Sequence, residues 1–327
     1  MRKDSKIFVA GHRGLVGSAL VEALTRSGYG NLVTRTKAEL DLRLQGAVQE
    51  FFEFEKPEYV LLAAAKVGGI VANRDYPADF IADNLAIQTN VINSAHASGV
   101  ERLLFLGSSC IYPKYCPQPM KEEFLLTGEL EPTNRPYAVA KIAGIEMCWA
   151  FNRQYGTNYL AVLPTNLYGP NDNYDPENSH VLPALIRKAH SCKVTGDRRM
   201  TIWGSGNPRR EFLYSSDLAD ACVMLMGLPQ KEFSQLIRST NEPPAINIGT
   251  GTDLTVRELA ETVLRVVGAN AQLEFDTSKP DGTPQKLLDI SRISGLGWKP
   301  TISLEKGLNT AYDDFLKSSR RAEHMAL

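Results

Sequence analysis

Short, wholly apolar runs alternate with amphipathic stretches through the first half of the chain. The runs Lys6–Ala10, Asn31–Arg35, Tyr59–Ala64, Arg102–Gly107 and Tyr159–Pro164 predict strands. The stretches Ser18–Arg26, Ala47–Glu55, Ile81–Ser98 and Ala138–Gln154 repeat their apolar positions with a helical period and predict helices between those strands. The runs are continuous rather than alternating, as in strands covered by helices on both faces, so the expected fold is α/β, a doubly wound parallel sheet of Rossmann type. After about Leu167 the pattern breaks into the loop chemistry of Gly169-Pro170-Asn171-Asp172-Asn173, a helix from Val181 to His190 and shorter pieces. The polar stretch Ser234–Pro244 reads as a surface loop. The expected organisation is a cofactor domain at 1–166, to which later segments return, and a smaller, mainly substrate-binding α/β domain at 167–327, with the cleft between them.

Composition removes some function classes. The 327 residues carry 36 Lys plus Arg against 37 Asp plus Glu, a net charge of −1, which argues against nucleic acid or an anionic membrane as partner. At 43 % hydrophobic residues the chain is globular rather than disordered. Five cysteines without CxxC or Cys/His spacing predict free thiols and no metal, and no apolar stretch has the length of a membrane span. With an N-terminus lacking an apolar leader run, this predicts a soluble, cytoplasmic protein.

Two local patterns carry chemistry. Gly11-His12-Arg13-Gly14-Leu15-Val16-Gly17 follows the first strand and opens the first helix, where glycines allow close approach of a pyrophosphate and the helix N-terminus supplies free N–H groups. The second strand ends on Arg35 and Lys37 instead of the acidic residue that would accept from a ribose 2′-OH. With Arg13 in the turn, these cations suit a 2′-phosphate and favour NADP(H); the plain alternative is a solvated strand end. His12 fits a backbone-level cofactor contact. Asp41-Leu42 suits an adenine-edge contact or an ordinary helix cap. Further on, Tyr137 and Lys141 share one helix face at i,i+4 spacing, after the strand end Leu106-Gly107-Ser108-Ser109. An ammonium beside the phenol is expected to lower the phenol pKa and make it a proton donor and acceptor.

Glycine turn, Ser and YxxxK in this order resemble the extended short-chain dehydrogenase/reductase superfamily. The resemblance narrows to the GDP-L-fucose synthase family through Ser108-Ser-Cys-Ile-Tyr-Pro-Lys114, Asn178-Ser-His180, Trp203-Gly-Ser-Gly206, Arg210-Glu-Phe-Leu213 and Lys279-Pro-Asp-Gly282, which span most of the chain. It implies NADPH-dependent 3,5-epimerisation and 4-reduction of GDP-4-keto-6-deoxy-D-mannose. On it Cys110 is the base and His180 the acid of epimerisation, Tyr137 the proton donor of the reduction, with Ser108 and Lys141 in support. Alone, Cys110 reads as a small buried residue and His180 as a cap or loop histidine. The resemblance prefers Ser108 to Ser109 as the catalytic hydroxyl. It lays Leu106 to Ser109, Lys141, Pro164-Thr165-Asn166-Leu167 and His180 against the cofactor, and Lys188, Trp203, Arg210 and Asp281 against the nucleotide sugar. Tyr214 stands where the family commonly has His, so no proton transfer is assigned there. A homodimer is expected from the superfamily. The rivals are an NAD-holding 4-epimerase or dehydratase, which would call for an acidic residue after the second strand and no Cys110/His180 pair, and a non-catalytic cofactor sensor, which would have lost Tyr137 or Lys141.

Overall fold

A computed structural model describes residues 1–175, 179–238, 241–279 and 281–325. Asn178 and Pro280 of the quoted motifs lie outside the described residues, as does part of the 234–244 stretch. Five strands of the first half, β1 (Ile7–Ala10), β2 (Leu32–Val33), β3 (Tyr59–Leu62), β4 (Arg102–Leu106) and β5 (Tyr159–Pro164), form a parallel sheet. A sixth strand, Ala245–Ile248, returns from the second half to pair with β5, so the order is β2-β1-β3-β4-β5 and then Ala245–Ile248. The order reverses at β1, whose neighbours are β2 and β3, and the crevice at such a reversal is where α/β sheets bind ligands.

Helices α1 (Leu15–Arg26), α2 (Gln45–Glu55), α3 (Ile70–Asp75), α4 (Pro77–Ala97) and α5 (Arg135–Tyr155) connect the strands. On one face α1 packs with helix Ser215–Gly227, through Leu20, Ala23 and Leu24 against Leu218, Cys222 and Leu225. On the other face α2, α4 and α5 bury Val48, Phe52, Val91, Ile92, Ile145 and Cys148. Helices on both faces explain why every residue of β1, β3, β4 and β5 is buried and why their sequences are unbroken apolar runs. Helix α5 starts with Pro136 in its first turn, where a missing N–H costs nothing, and stops at Gly156 in the left-handed conformation.

A third core lies in the second half, where helices Val181–Thr195, Val256–Val267 and the C-terminal helix bring Leu185, Ile186, Leu259, Val263 and Leu308 together. Small sheets surround it, among them Arg209–Arg210 flanked by Leu254–Thr255 and Gln285–Lys286. The expected loop at Ser234–Pro244 begins inside a helix instead. Gln230–Ile237 is helical because Phe233, Ser234 and Ile237 form a buried stripe that the polar composition concealed. Among the described residues no helix is long and apolar enough to cross a membrane, and all five cysteines are free.

Candidate active site

At the end of β1 the chain turns on Gly11, whose φ of +87° an L side chain rarely adopts; a Cβ there would stand 2.8 Å from the Ala64 nitrogen. A Cβ on Gly17 would lie 2.0 Å from the Gly11 carbonyl oxygen, so the turn and the first helical turn touch backbone to backbone. Gly14 precedes α1 with no side-chain cap, and the Ser18 N–H donates to its carbonyl at 2.9 Å. The amides of the first turn therefore have no helical acceptor and face the crevice as an anion cradle. His12 adds a buried Nδ1 with no hydrogen-bond partner. This cradle fits a dinucleotide pyrophosphate.

Arg13 and Lys37 are exposed, whereas Arg35 pairs with Glu55 at 2.5 Å and lies over the Phe51 ring at 5.5 Å. Asp41 is engaged locally. Its carboxylate accepts from the Arg43 guanidinium at 2.7 Å and backbone N–H at 3.0 Å, and the Arg43 bond pulls it down to about 2. Helix α2 begins at Gln45 behind Leu44, so Asp41 is not its cap, and the Leu42 carbonyl accepts from Asn90 at 3.0 Å.

The strand end and α5 meet at Ser108. Its Oγ accepts the Cys110 N–H at 3.2 Å and lies close enough to the Tyr137 phenol and the Cys110 thiol to act on the pKa of both. The competing Ser109 is buried beneath. Lys141, also buried, donates to the Leu106 carbonyl at 2.6 Å and stands 5.9 Å from the Tyr137 ring centroid. Burial pulls its ammonium down to about 7. The expected lowering of the phenol does not occur. Burial and then the Cys110 charge raise the Tyr137 pKa, and the Ser108 hydrogen bond offsets only part of this. Lys141 gives its hydrogen bond to Leu106, and with a pKa pulled down to about 7 it carries only part of its positive charge at neutral pH, so its effect on the phenol is reduced.

Cys110 has a neighbour that no motif announced. Lys286 Nζ lies 3.6 Å from its sulfur, from a position 176 residues away. Strand Gln285–Lys286 runs parallel to Arg209–Arg210 with Lys286 opposite Arg210, so both cations come toward the thiol. Burial alone would raise the Cys110 pKa; Lys286, the Ser108 hydrogen bond and Arg210 outweigh it, and the net shift is downward. The other four, Cys116, Cys148, Cys192 and Cys222, are raised by burial. His180 immediately precedes helix Val181–Thr195 but makes no side-chain capping bond. The protein around it and then the Lys286 charge lower its pKa. Lys286 thus acts on both Cys110 and His180. The only sequence signal for it was chemical, because a thiol base needs a cation.

Toward the second half, burial lowers the Arg210 pKa while the charges of Cys110 and Asp281 counteract it. Asp281 accepts from Ser205 through its N–H at 2.9 Å and Oγ at 2.7 Å. Lys188 donates to the Thr201 carbonyl at 2.9 Å and stands 5.4 Å over the Trp203 ring, which is 54 % exposed and offers an aromatic surface. Past Pro164, the side chains of Thr165 and Asn166 both donate to the Glu211 carbonyl, at 3.1 and 2.8 Å, and Leu167 packs at the edge of the core. Tyr214 packs edge-to-face on Tyr168 in the third core. Among the described residues no group of three or more His, Cys, Asp or Glu is placed to hold a metal ion.

The sequence profile of the NAD dependent epimerase/dehydratase family matches residues 7–249. GDP-L-fucose synthase 1 of Arabidopsis thaliana is 58 % identical over 97 % of this chain and 94 % of its own. GDP-L-fucose synthase of Escherichia coli is 53 % identical over 97 % and 98 %. Among solved structures, a GDP-mannoheptose C4 reductase from Campylobacter jejuni with NADP bound is 43 % identical and superposes with a TM-score of 0.87, covering 96 % of this chain and 99 % of that one.

Proposed function

The chain belongs to the NAD dependent epimerase/dehydratase family, and we propose that it catalyses the reaction of its GDP-L-fucose synthase members, the NADPH-dependent conversion of GDP-4-keto-6-deoxy-D-mannose to GDP-L-fucose. The observation that carries this reading is the thiol. Cys110 alone among the cysteines has its pKa drawn down, by a lysine and an arginine, and a plain reduction at C4 has no use for such a base.

C3 and C5 of the substrate flank the C4 carbonyl, so loss of either proton leaves an enolate. The Cys110 thiolate takes the proton from one face and His180 returns one on the other. The surrounding protein and then the Lys286 charge lower the His180 pKa, which makes its imidazolium a stronger acid. NADPH, when bound, supplies the hydride for C4. The Gly11–Gly17 cradle would hold its pyrophosphate, Arg13, Arg35 and Lys37 its 2′-phosphate, and Lys141 its nicotinamide ribose, with Leu106 to Ser109 and Pro164 to Leu167 lining the nicotinamide end. Tyr137 gives its phenolic proton to the C4 oxygen and Ser108 hydrogen-bonds that oxygen. A raised phenol pKa suits this role, because the donor must be protonated when the oxyanion forms. Arg210 and Lys188 pair with the diphosphate of GDP, while Trp203 and Asp281 meet the guanosine and sugar. Residues 1–166 carry the cofactor end and 167–327 most of the sugar-nucleotide end, in a cytoplasmic homodimer.

The test is NADPH oxidation with GDP-4-keto-6-deoxy-D-mannose, followed by stereochemical analysis of the product. GDP-L-fucose is expected. A product reduced at C4 with C3 and C5 uninverted would replace this reading with that of a plain C4 reductase, the activity named for the Campylobacter relative.

A further inference from the structure

Beside Arg210 lies a carboxylate that the mechanism does not use. Glu211 is 0 % exposed, a costly place for a charge unless its oxygens are fully bonded. They are: one oxygen accepts the N–H groups of Thr250 at 2.6 Å and Gly251 at 2.7 Å, the other the N–H of Leu288 at 2.9 Å. Its main-chain carbonyl accepts from Thr165 and Asn166. A Cβ on Gly249 would stand 2.3 Å from the same carboxylate oxygen, so the turn after Ala245–Ile248 closes on Glu211 with no room for a side chain.

The position of the Leu288 bond matters most. Lys286, two residues earlier, is held on one side by pairing with Arg210. Beyond it the chain is pinned by the Leu288–Glu211 bond and by the Met120 N–H donating to the Leu287 carbonyl at 2.7 Å. We propose that Glu211 is a positioning residue for the proposed reaction: its buried carboxylate ties the segment carrying Lys286 to the sheet and so keeps that ammonium against the Cys110 sulfur. The inference rests on the reading of Cys110 as the epimerisation base. Glu211 is fully buried with both oxygens bonded inside the protein, so it is placed to act through Lys286 and not on a ligand directly. A carboxylate is required because its partners, three N–H groups and the Thr250 hydroxyl at 3.4 Å, all donate to it, and a carboxamide would turn an NH₂ group toward one of the N–H groups. Burial raises the Glu211 pKa and its hydrogen-bond donors oppose that rise, as expected of a group held by acceptor bonds alone.

The experiment follows alkylation of Cys110 by iodoacetamide against pH in the full chain, resolved by peptide mass spectrometry and run without substrate. In Glu211→Gln the midpoint should rise by about one pH unit or more, toward that of Lys286→Gln. The double variant should match Lys286→Gln alone, since Glu211 acts through Lys286. A variant that melts at lower temperature with the Cys110 midpoint unmoved, or shifts that simply add, would overturn the proposal and leave Glu211 as a structural carboxylate. Should Glu211→Gln not fold, Glu211→Asp is read on the same midpoint. It keeps both oxygens on a side chain one methylene shorter, so an upward shift is expected and an unchanged midpoint counts against the idea. Failure of the proposed function would look different, as a wild-type chain that turns over no nucleotide sugar while the Cys110 midpoint still depends on Lys286.

Discussion

Between Gly11 and Gly17 the surface offered to a ligand belongs to the backbone of one short run, shaped by where side chains are missing. Around Cys110 the opposite holds: Ser108, Tyr137, His180, Arg210 and Lys286 come from distant parts of the chain and act through side chains and charge. The first arrangement depends on sterics and tolerates almost no added atom. The second depends on electrostatics, and its members can be exchanged one at a time with graded effects. A cradle for a constant part of a cofactor can be rigid, whereas a base and an acid must each hold a tuned proton affinity.

Substitutions can break or sharpen this contrast. The largest effect is expected at Gly17→Ala, whose Cβ would meet the Gly11 carbonyl at 2.0 Å. NADPH affinity should fall by roughly a thousandfold or more, about 4 kcal/mol, in a fluorescence titration. Tight binding by this variant would mean that the turn is softer than its geometry implies. Next comes Tyr137→Phe, which removes the proposed proton donor for C4. NADPH oxidation should drop by about 10²- to 10⁴-fold while solvent-deuterium exchange at C3 and C5 persists. Equal loss of both would show that the phenol also supports the enolate. Cys110→Ser should slow that exchange by roughly a hundredfold and leave the Kd for NADPH unchanged, because a hydroxyl beside Lys286 ionises far less readily than a thiol. Unaltered exchange would remove Cys110 from the chemistry. The smallest effect is expected at Arg35→Ala. Part of the Arg35 charge is already committed to Glu55, so the KM for NADPH should rise about tenfold with little change for NADH. A parallel rise for both cofactors would locate 2′-phosphate recognition elsewhere.

The same contrast explains what could be read from the sequence. The glycine turn, the five strands and the flanking helices are local patterns, and each appears within a few residues of its expected place; β2 is the shortest, Leu32–Val33 within the Asn31–Arg35 run. Tyr137 and Lys141 are visible from their spacing, but the phenol pKa moves opposite to expectation, because burial and the Cys110 charge both raise it while Lys141 turns to the Leu106 carbonyl. Lys286 and Glu211 carry no spacing of their own. Their significance comes from strand Gln285–Lys286 lying beside Arg209–Arg210, a long-range pairing that no periodicity encodes. The helix Gln230–Ile237 was hidden for a third reason, since its apolar stripe is narrow and its other residues are polar.

The Ser108 hydroxyl stands between a thiol and a phenol and owns a single hydrogen, so it can donate to only one of them at a time. On the proposed roles, an ionised Cys110 would claim that hydrogen and leave the phenol to donate to the Ser108 oxygen, and a protonated Cys110 would release it. A single rotor would then couple the epimerisation base to the proton donor of the reduction without any movement of the backbone.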